Sequence, residues 1–141
     1  MTDEGLAFVD TNVLVYRFDE DEPAKRECAS AILESAAAGD VVISTQVLQE
    51  FYVVVTRKLA RPVSSEDAEQ IVRGFARLPI VQVDAALVLA AIGTSRRHKL
   101  SFWDALIVQA ALAGGCTRLL TEDLRHGTRY ESLRVENPFA A

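Results

Sequence analysis

Four acidic residues occur at the points where one predicted element gives way to the next. Asp10 ends the apolar run "LAFVD", and Asp123 follows the apolar run "TRLLT". Glu50 falls in the second turn of the helix predicted after "VVIS", and Asp104 falls in the first turn of the helix that Ser101 opens. The carboxyl ends of parallel strands meet at one edge of a sheet, so we expect Asp10, Glu50 and Asp123 to lie close together. Asp104 joins them if its helix begins at that edge.

Carboxylates gathered in one cleft repel each other, and each is expected to have a raised pKa. A hard divalent cation relieves this repulsion, and a set of oxygen ligands suits Mg²⁺ or Mn²⁺. Such an ion can polarise a phosphodiester, activate a water molecule and stabilise the leaving oxygen. The four acids together therefore favour a metal-assisted hydrolytic site.

Asp104 raises the sharpest question. It is the only charged residue between Leu100 and Ala113 in the stretch "KLSFWDALIVQAALAGG", and it follows the only Trp of the chain. An unpaired charge in an apolar setting is costly, so a compensating group is expected. The alternative is structural: Asp104 comes three residues after Ser101 and could be the acidic half of a capping box.

The other three acids also have structural alternatives. Asp10 could cap the helix that follows it, although Thr11 or Asn12 could do the same. Glu50 could be a solvated helix residue, and Asp123 could be an ordinary turn acid. The metal-site hypothesis depends on the four acids occurring together at structurally matched places.

Other chemistries fit the sequence poorly. His98 and His126 stand far along the chain from Cys28 and Cys116, so a zinc site is not expected. The chain has no P-loop, no G-x-G-x-x-G motif and no G-x-S-x-G nucleophile elbow. The two cysteines have no close spacing and are read as reduced thiols of a cytoplasmic protein.

The pattern of elements predicts an α/β fold. The runs "LAFVD", "VVIS", "PIVQV", "TRLLT" and "LRVENPF" read as short strands, and helices separate the first four of them. This alternation predicts a three-layer α/β/α sandwich with a mainly parallel sheet of roughly five strands. The 141 residues suit one domain spanning 1–141, and no apolar run reaches the length of a membrane span.

The acidic motifs, in their order, resemble those of PIN-domain ribonucleases, and more closely those of VapC-type toxins. "VDTNVLVY" resembles the opening motif and "SFWDALI" the third, which places their aspartates on Asp10 and Asp104. "LLTEDLRHG" resembles the fourth motif, and "ENPF" also looks like the family. The remaining family positions fall on Glu50 for the helix glutamate, Asp123 for the last acid, and Asn12 and Thr121 for supporting hydrogen bonders.

The resemblance implies a PIN fold and an endoribonuclease that depends on Mg²⁺ or Mn²⁺. It also implies a homodimer and an antitoxin partner that blocks the site. Asp10 and Asp104 are then the preferred direct metal ligands, while Asp123 and Glu50 complete the site through water or orient the attacking water. Two alternatives stay open: a receiver-type phosphoacceptor domain and a catalytically silent PIN fold that only binds.

RNA binding needs local positive charge even in a chain whose net charge is −5. Arg96, Arg97 and Lys99 precede the Asp104 helix and are candidate phosphate contacts. Cations at a helix C-terminus can instead complement the helix dipole, and we favour that role for the basic residues in "RKLAR" at positions 57–61.

Overall fold

The computed structural model describes residues 5–140, with only the backbone described at position 37. The strands are β1 (Leu6–Val9), β2 (Val41–Ser44), β3 (Ile80–Val81), β4 (Cys116–Leu120), β5 (Arg129–Tyr130) and β6 (Leu133–Glu136). The α-helices are α1 (Thr11–Tyr16), α2 (Pro23–Ser35), α3 (Thr45–Arg57), α4 (Ser65–Phe75), α5 (Ala85–His98) and α6 (Phe102–Ala113). A 3₁₀ turn, Ala36–Ala38, follows α2.

The strands form one sheet in the order β3-β2-β1-β4-β6-β5. All neighbouring strands are parallel except β5, which pairs antiparallel with β6. The three-layer, mainly parallel fold predicted from sequence is therefore confirmed, with six strands in place of about five. The additional strand β5 has two residues, which is too short for an alternating pattern to identify it.

Helices cover both faces of the sheet. α5 and α6 pack on each other, and α6 lies against β2, β4 and β6. On the other face, α1 contacts α2 and α3, and α3 contacts α4. The largest buried side chains include Phe8 of β1, Leu14 of α1, Phe51 of α3 and Leu119 of β4, all fully buried. Among residues 5–140, no helix is both long and apolar enough to span a membrane.

Hydroxyl and carboxylate side chains cap the N-termini of α3, α4, α5 and α6. Ser44, Ser64, Asp84 and Ser101 each accept a hydrogen bond from the backbone N–H three residues later. The prediction that Thr11 or Asn12 caps α1 is wrong, because Asp10 is the N-cap and its carboxylate accepts the Thr11 N–H.

The basic residues that precede α6 belong largely to the fifth helix, α5. It continues to His98, so the basic residues at positions 96–98 form its last turn. Lys99 then adopts a left-handed backbone conformation (φ 56°) that ends the helix and turns the chain towards Ser101 and α6. This turn brings the start of α6 to the carboxyl edge of the sheet.

Candidate active site

The site begins where β1 and β4 end side by side. Val9 is paired with Leu120 in the parallel register, and Asp10 N donates to Leu120 O over 3.0 Å. Asp10 and Thr121, which are 111 positions apart, are therefore neighbours. The register of two central strands, rather than local sequence, brings these residues together.

Asp10 is the most buried acid of the site, with 5 % of its surface exposed. Its Oδ1 accepts from Thr11 N (2.7 Å), and its Oδ2 accepts from Thr121 Oγ1 (2.8 Å) and Asn12 Nδ2 (3.4 Å). Burial raises the pKa of Asp10 to about 7, and the nearby charges of Asp123 and Glu50 add to the rise. The hydrogen bonds from Thr121 and Thr11 oppose the rise without cancelling it.

Asn12 links the acids that follow β1 and β4. Its Nδ2 lies 3.0 Å from Asp123 Oδ2, 3.2 Å from Thr121 Oγ1 and 3.4 Å from Asp10 Oδ2. Its Oδ1 accepts from Glu122 N (3.3 Å), and Thr121 Oγ1 also accepts from Asp123 N (3.0 Å). Thr11 and Asn12, which the sequence suggested as caps of α1, thus have side chains that contact acids of the site instead.

Glu50 approaches from the second turn of α3. Its Oε1 accepts from Thr11 Oγ1 at 2.8 Å, and its Oε2 accepts from Gln46 Nε2 at 3.4 Å. Glu50 is half-buried, so the interpretation of this residue as a freely solvated helix acid is not supported.

Asp104 lies in the first turn of α6, as predicted from sequence. Its backbone N–H donates to Ser101 Oγ (3.1 Å), so the serine caps α6. Burial raises the pKa of the Asp104 carboxyl, the Ser101 hydroxyl lowers it, and the charge of Asp123 raises it further. The same carboxylate helps to raise the pKa of Tyr130, after burial of the phenol itself. Asp104 therefore lies within electrostatic range of Asp123 and Tyr130, at the same edge as the other acids.

A groove of about 690 Å³ opens beside these acids. Glu50 and Asp123 lie in its wall together with apolar, amide and basic side chains. The residues that line the groove include Asn12, Val15, Gln46, Val53, Lys58 and Trp103. The groove thus combines the negative charge of its acids with the apolar surface of Val15 and Val53 and the positive charge of Lys58.

The donor set suits a hard divalent cation, because it consists of carboxylate oxygens with amide and hydroxyl neighbours. Within residues 5–140, however, no three His, Cys, Asp or Glu side chains are arranged as a ready-made metal site. Asn12 Nδ2 lies between Asp10 and Asp123, and its hydrogens offset the repulsion between the two carboxylates. The residues therefore fit a cation by chemistry, and a cation would compete with Asn12 for the same oxygens.

Comparison with known proteins identifies the family of this chain. The family model for the PIN domain matches residues 7–130. The chain belongs to the PIN-domain family. This membership removes the receiver-type alternative.

Two kinds of relative resemble this PIN domain. Ribonuclease VapC24 of Mycobacterium tuberculosis (strain CDC 1551 / Oshkosh) is 29% identical over 142 residues, which cover 94% of this chain and 97% of that protein. A toxin–antitoxin complex from Klebsiella pneumoniae contains a chain of the same fold, with a TM-score of 0.71 and 19% identity, covering 96% of this chain and 99% of that one. VapC20 of Mycobacterium tuberculosis, a toxin that cleaves the sarcin–ricin loop, gives a TM-score of 0.67 at 23% identity, covering 83% and 91%.

The basic residues predicted to contact RNA lie near Asp104 but outside the groove lining. Arg96 and Arg97 are exposed in the last turn of α5, and Lys99 is exposed just after it. Between them, the ring of His98 packs edge-to-face on Tyr130 at 5.1 Å. Since Tyr130 is also near Asp104, this basic end of α5 borders the acids of the PIN domain, and its role in RNA binding stays a prediction.

Sequence reasoning missed several residues of this PIN domain. Lys25 Nζ pairs with Glu122 Oε2 at 3.1 Å, and both contact the Tyr16 hydroxyl. Lys58, considered from sequence only as a helix-dipole partner, lines the groove. Gln46 is 5 % exposed and joins Glu50 to the Trp103 carbonyl. A polar residue on the core-facing side of α3 was the available signal for Gln46.

Proposed function

We propose that this protein is a metal-dependent endoribonuclease and the toxin of a type II toxin–antitoxin pair. The observation that carries the proposal is the cluster around the buried carboxylate of Asp10. Asn12 and Thr121 hydrogen-bond to this carboxylate, and the charges of Asp123 and Glu50 act on it. The name of the relative VapC24 supports ribonuclease activity as the chemistry of such a site.

Asp10 and Asp104 would hold Mg²⁺ or Mn²⁺ directly, and Asp123 and Glu50 would complete its surroundings. When bound, such an ion supplies the positive charge that activates water and stabilises the leaving oxygen of a phosphodiester. Hydrogen bonds from Asn12 and Thr121 hold the Asp10 carboxylate in one orientation. The carboxylate therefore does not need to reorient during the reaction.

Glu50 has the role of orienting the attacking water. Thr11 holds one of its oxygens and Gln46 contacts the other, so its carboxylate is fixed at the wall of the groove. An oriented carboxylate at this place can accept a hydrogen bond from the water and direct it towards phosphorus in line with the leaving oxygen. Lys58, in the same groove, provides a cation for a neighbouring phosphate.

Cleavage of total RNA with Mg²⁺, with Mn²⁺ and with excess chelator tests this function. We expect fragments with either ion and none in chelator. Cleavage that persists undiminished in chelator would defeat the metal mechanism, and an absence of cleavage under all conditions would favour the silent binding alternative.

A small antitoxin protein is the proposed regulatory partner. Solved neighbours of this fold include toxin–antitoxin complexes, among them FitAB bound to a DNA fragment (TM-score 0.71, 23% identity). Isolation of the protein from its native cells, followed by mass spectrometry, would identify the partner. A co-purifying small protein that stops RNA cleavage when added back supports the pairing, and one that leaves cleavage unchanged contradicts it.

We further propose that residues 1–141 form one nuclease domain that assembles as a homodimer in the cytoplasm. The inner face of α3 is core, since Val47, Phe51 and Val55 are fully buried. Its outer face exposes Tyr52 (39 %), which could contribute to a dimer interface. Light scattering at micromolar concentration should give twice the chain mass, and a monomer would count against the dimer.

A further inference from the structure

Trp103 is a large aromatic side chain in the groove, and most of its surface is exposed to solvent. It is 62 % exposed, although it follows Phe102 in a helix whose inner residues are fully buried. Its ring meets Phe102 edge-to-face at 5.1 Å, and it lines the same groove as Glu50 and Asp123. The sequence placed this residue in an apolar helix, whereas the structure places it on the surface beside the acids.

The position of Trp103 relative to the acids is fixed through one amide. Gln46 Nε2 contacts the Trp103 carbonyl oxygen at 3.4 Å and Glu50 Oε2 at 3.4 Å. The Gln46 amide therefore holds the backbone of Trp103 close to the Glu50 carboxylate. Asp104 follows Trp103 directly in the sequence. A ligand group that contacts the indole ring therefore lies close to Asp104 and Glu50, two of the proposed active-site acids.

The other aromatic residue of the groove is already engaged. The Tyr16 hydroxyl bonds to Glu122, and its ring packs edge-to-face on Phe139 at 5.0 Å and beneath Lys25 at 4.7 Å. Trp103 differs because its ring is largely free, with apolar surface from Val15 and Val53 in the same groove. Unpaired RNA bases stack on such exposed aromatic rings, whereas bases paired in a duplex do not present their faces.

Resting on the proposed ribonuclease function, we propose that Trp103 is a specificity-determining residue that stacks on an unpaired base next to the scissile phosphate. Lys58 lies in the same groove and can contact a flanking phosphate, while Glu50 and Asp123 border the cleavage position. A groove lined by aromatic, cationic and acidic groups fits a nucleotide better than a purely apolar protein segment.

The chain offers a direct optical test, because Trp103 is its only Trp. The Asp10→Asn variant, which is expected not to cleave, would be titrated in Mg²⁺ with a single-stranded RNA of defined sequence whose cleavage position has been mapped with wild type. A second RNA of the same length would carry abasic sugars at and beside the cleavage position. Labelled-RNA anisotropy would measure binding in parallel with Trp fluorescence. Stacking predicts quenching by the first RNA and little quenching by the abasic RNA at equal occupancy. Equal fluorescence with both RNAs would overturn the proposal.

Kinetics of three variants complete the test. Trp103→Leu should raise KM about tenfold, the size expected for one stacked base, with kcat changed much less. Trp103→Phe retains a stacking ring and should recover most of that loss. The control is Leu89→Ala, since Leu89 is exposed on α5 and not part of the groove lining; it should behave like wild type. The abasic RNA should be cleaved equally by wild type and Trp103→Leu.

Two failures can be told apart. If wild type cleaves RNA and Trp103→Leu has an unchanged KM, the stacking role is wrong and the ribonuclease function stands. If wild type cleaves no RNA in Mg²⁺ or Mn²⁺, the ribonuclease function itself fails, and the stacking role fails with it.

Discussion

Asn12 and Asp123 are joined by a hydrogen bond of 3.0 Å although 111 positions separate them in the chain. The same Asn12 nitrogen reaches Asp10 and Thr121, so one amide connects the ends of β1 and β4. The donor allows two carboxylates to remain adjacent in the absence of a cation. This bond therefore contributes both to stability and to the arrangement of the acids.

Replacing Asn12 by Ala removes this shared donor. We expect the free energy of unfolding to fall by about 1–2 kcal/mol in chelator, because hydrogen bonds to charged groups are lost and two carboxylates are left facing each other. RNA cleavage should fall about 10–100-fold, the usual effect of removing a residue that orients metal ligands. Urea unfolding and initial cleavage rates measure the two effects. Wild-type stability together with wild-type activity would contradict the bridging role.

Asp104 can be tested against a matched residue, because Asp67 occupies the same position in α4. The backbone N–H of each residue donates to a capping serine over 3.1 Å, but Asp67 is an exposed surface residue, whereas Asp104 lies near Asp123. Substitution of either by Asn removes the same favourable charge from a helix N-terminus, worth about 0.3–1 kcal/mol. Only Asp104→Asn also relieves repulsion from Asp123.

We therefore expect Asp104→Asn to melt at or above the wild-type temperature in chelator, while Asp67→Asn melts slightly below it. Mg²⁺ should stabilise wild type and Asp67→Asn more than Asp104→Asn, because binding to the native state stabilises it by mass action. Thermal melts of the three proteins with and without Mg²⁺ measure this difference. If both variants lose equal stability and respond equally to Mg²⁺, Asp104 is only a helix-capping residue.

The pKa of Asp10 predicts how stability depends on pH in chelator. Burial raises this pKa from 3.8 to about 7 in the folded protein. Between these values the unfolded state releases the proton while the folded state retains it, so stability falls as pH rises and levels off above about 7. From about pH 5 to about pH 8, the Asp10 contribution to stability falls by roughly 2.7 kcal/mol, because the two pKa units between pH 5 and the folded pKa of about 7 are each worth about 1.4 kcal/mol.

The comparison variant is Asp10→Asn, which cannot lose this proton. Urea unfolding at the two pH values should show a larger loss of stability for wild type than for the variant. Parallel pH profiles of the two proteins would mean that Asp10 is already ionised at pH 5 in the folded state.

Sequence alone predicted the parts of the site that follow from sheet topology. Asp10, Glu50 and Asp123 lie where a parallel sheet must place residues that follow its strands, and the PIN motifs agree with that placement. The position of Trp103 could not be predicted, because α6 is apolar on nearly all sides and its pattern does not separate an inner from an outer face. The contact of Gln46 with the Trp103 carbonyl joins the start of α3 to the start of α6, and such a long-range contact leaves no local signature in the sequence.

The cap of α1 shows a second limit. Asp10, Thr11 and Asn12 all have side chains that cap helices well, so propensity does not distinguish them. The pairing of β1 with β4 decides the outcome, because it presents Thr121 and Asp123 to Asp10 and Asn12. Long-range strand register thus determines which side chain caps the helix and which ones contact the acids.

We expect the buried carboxylate of Asp10 to be required for metal-dependent cleavage of RNA. The most direct test compares wild type, Asp10→Asn and the surface control Asp67→Asn, prepared identically, on one single-stranded RNA in Mg²⁺ and in chelator. We expect wild type and Asp67→Asn to cleave at the same rate in Mg²⁺ and not in chelator. We expect Asp10→Asn, shown to be folded by circular dichroism, to be slower by at least about 100-fold. Equal cleavage by Asp10→Asn and wild type would show that the Asp10 carboxylate is not required for cleavage.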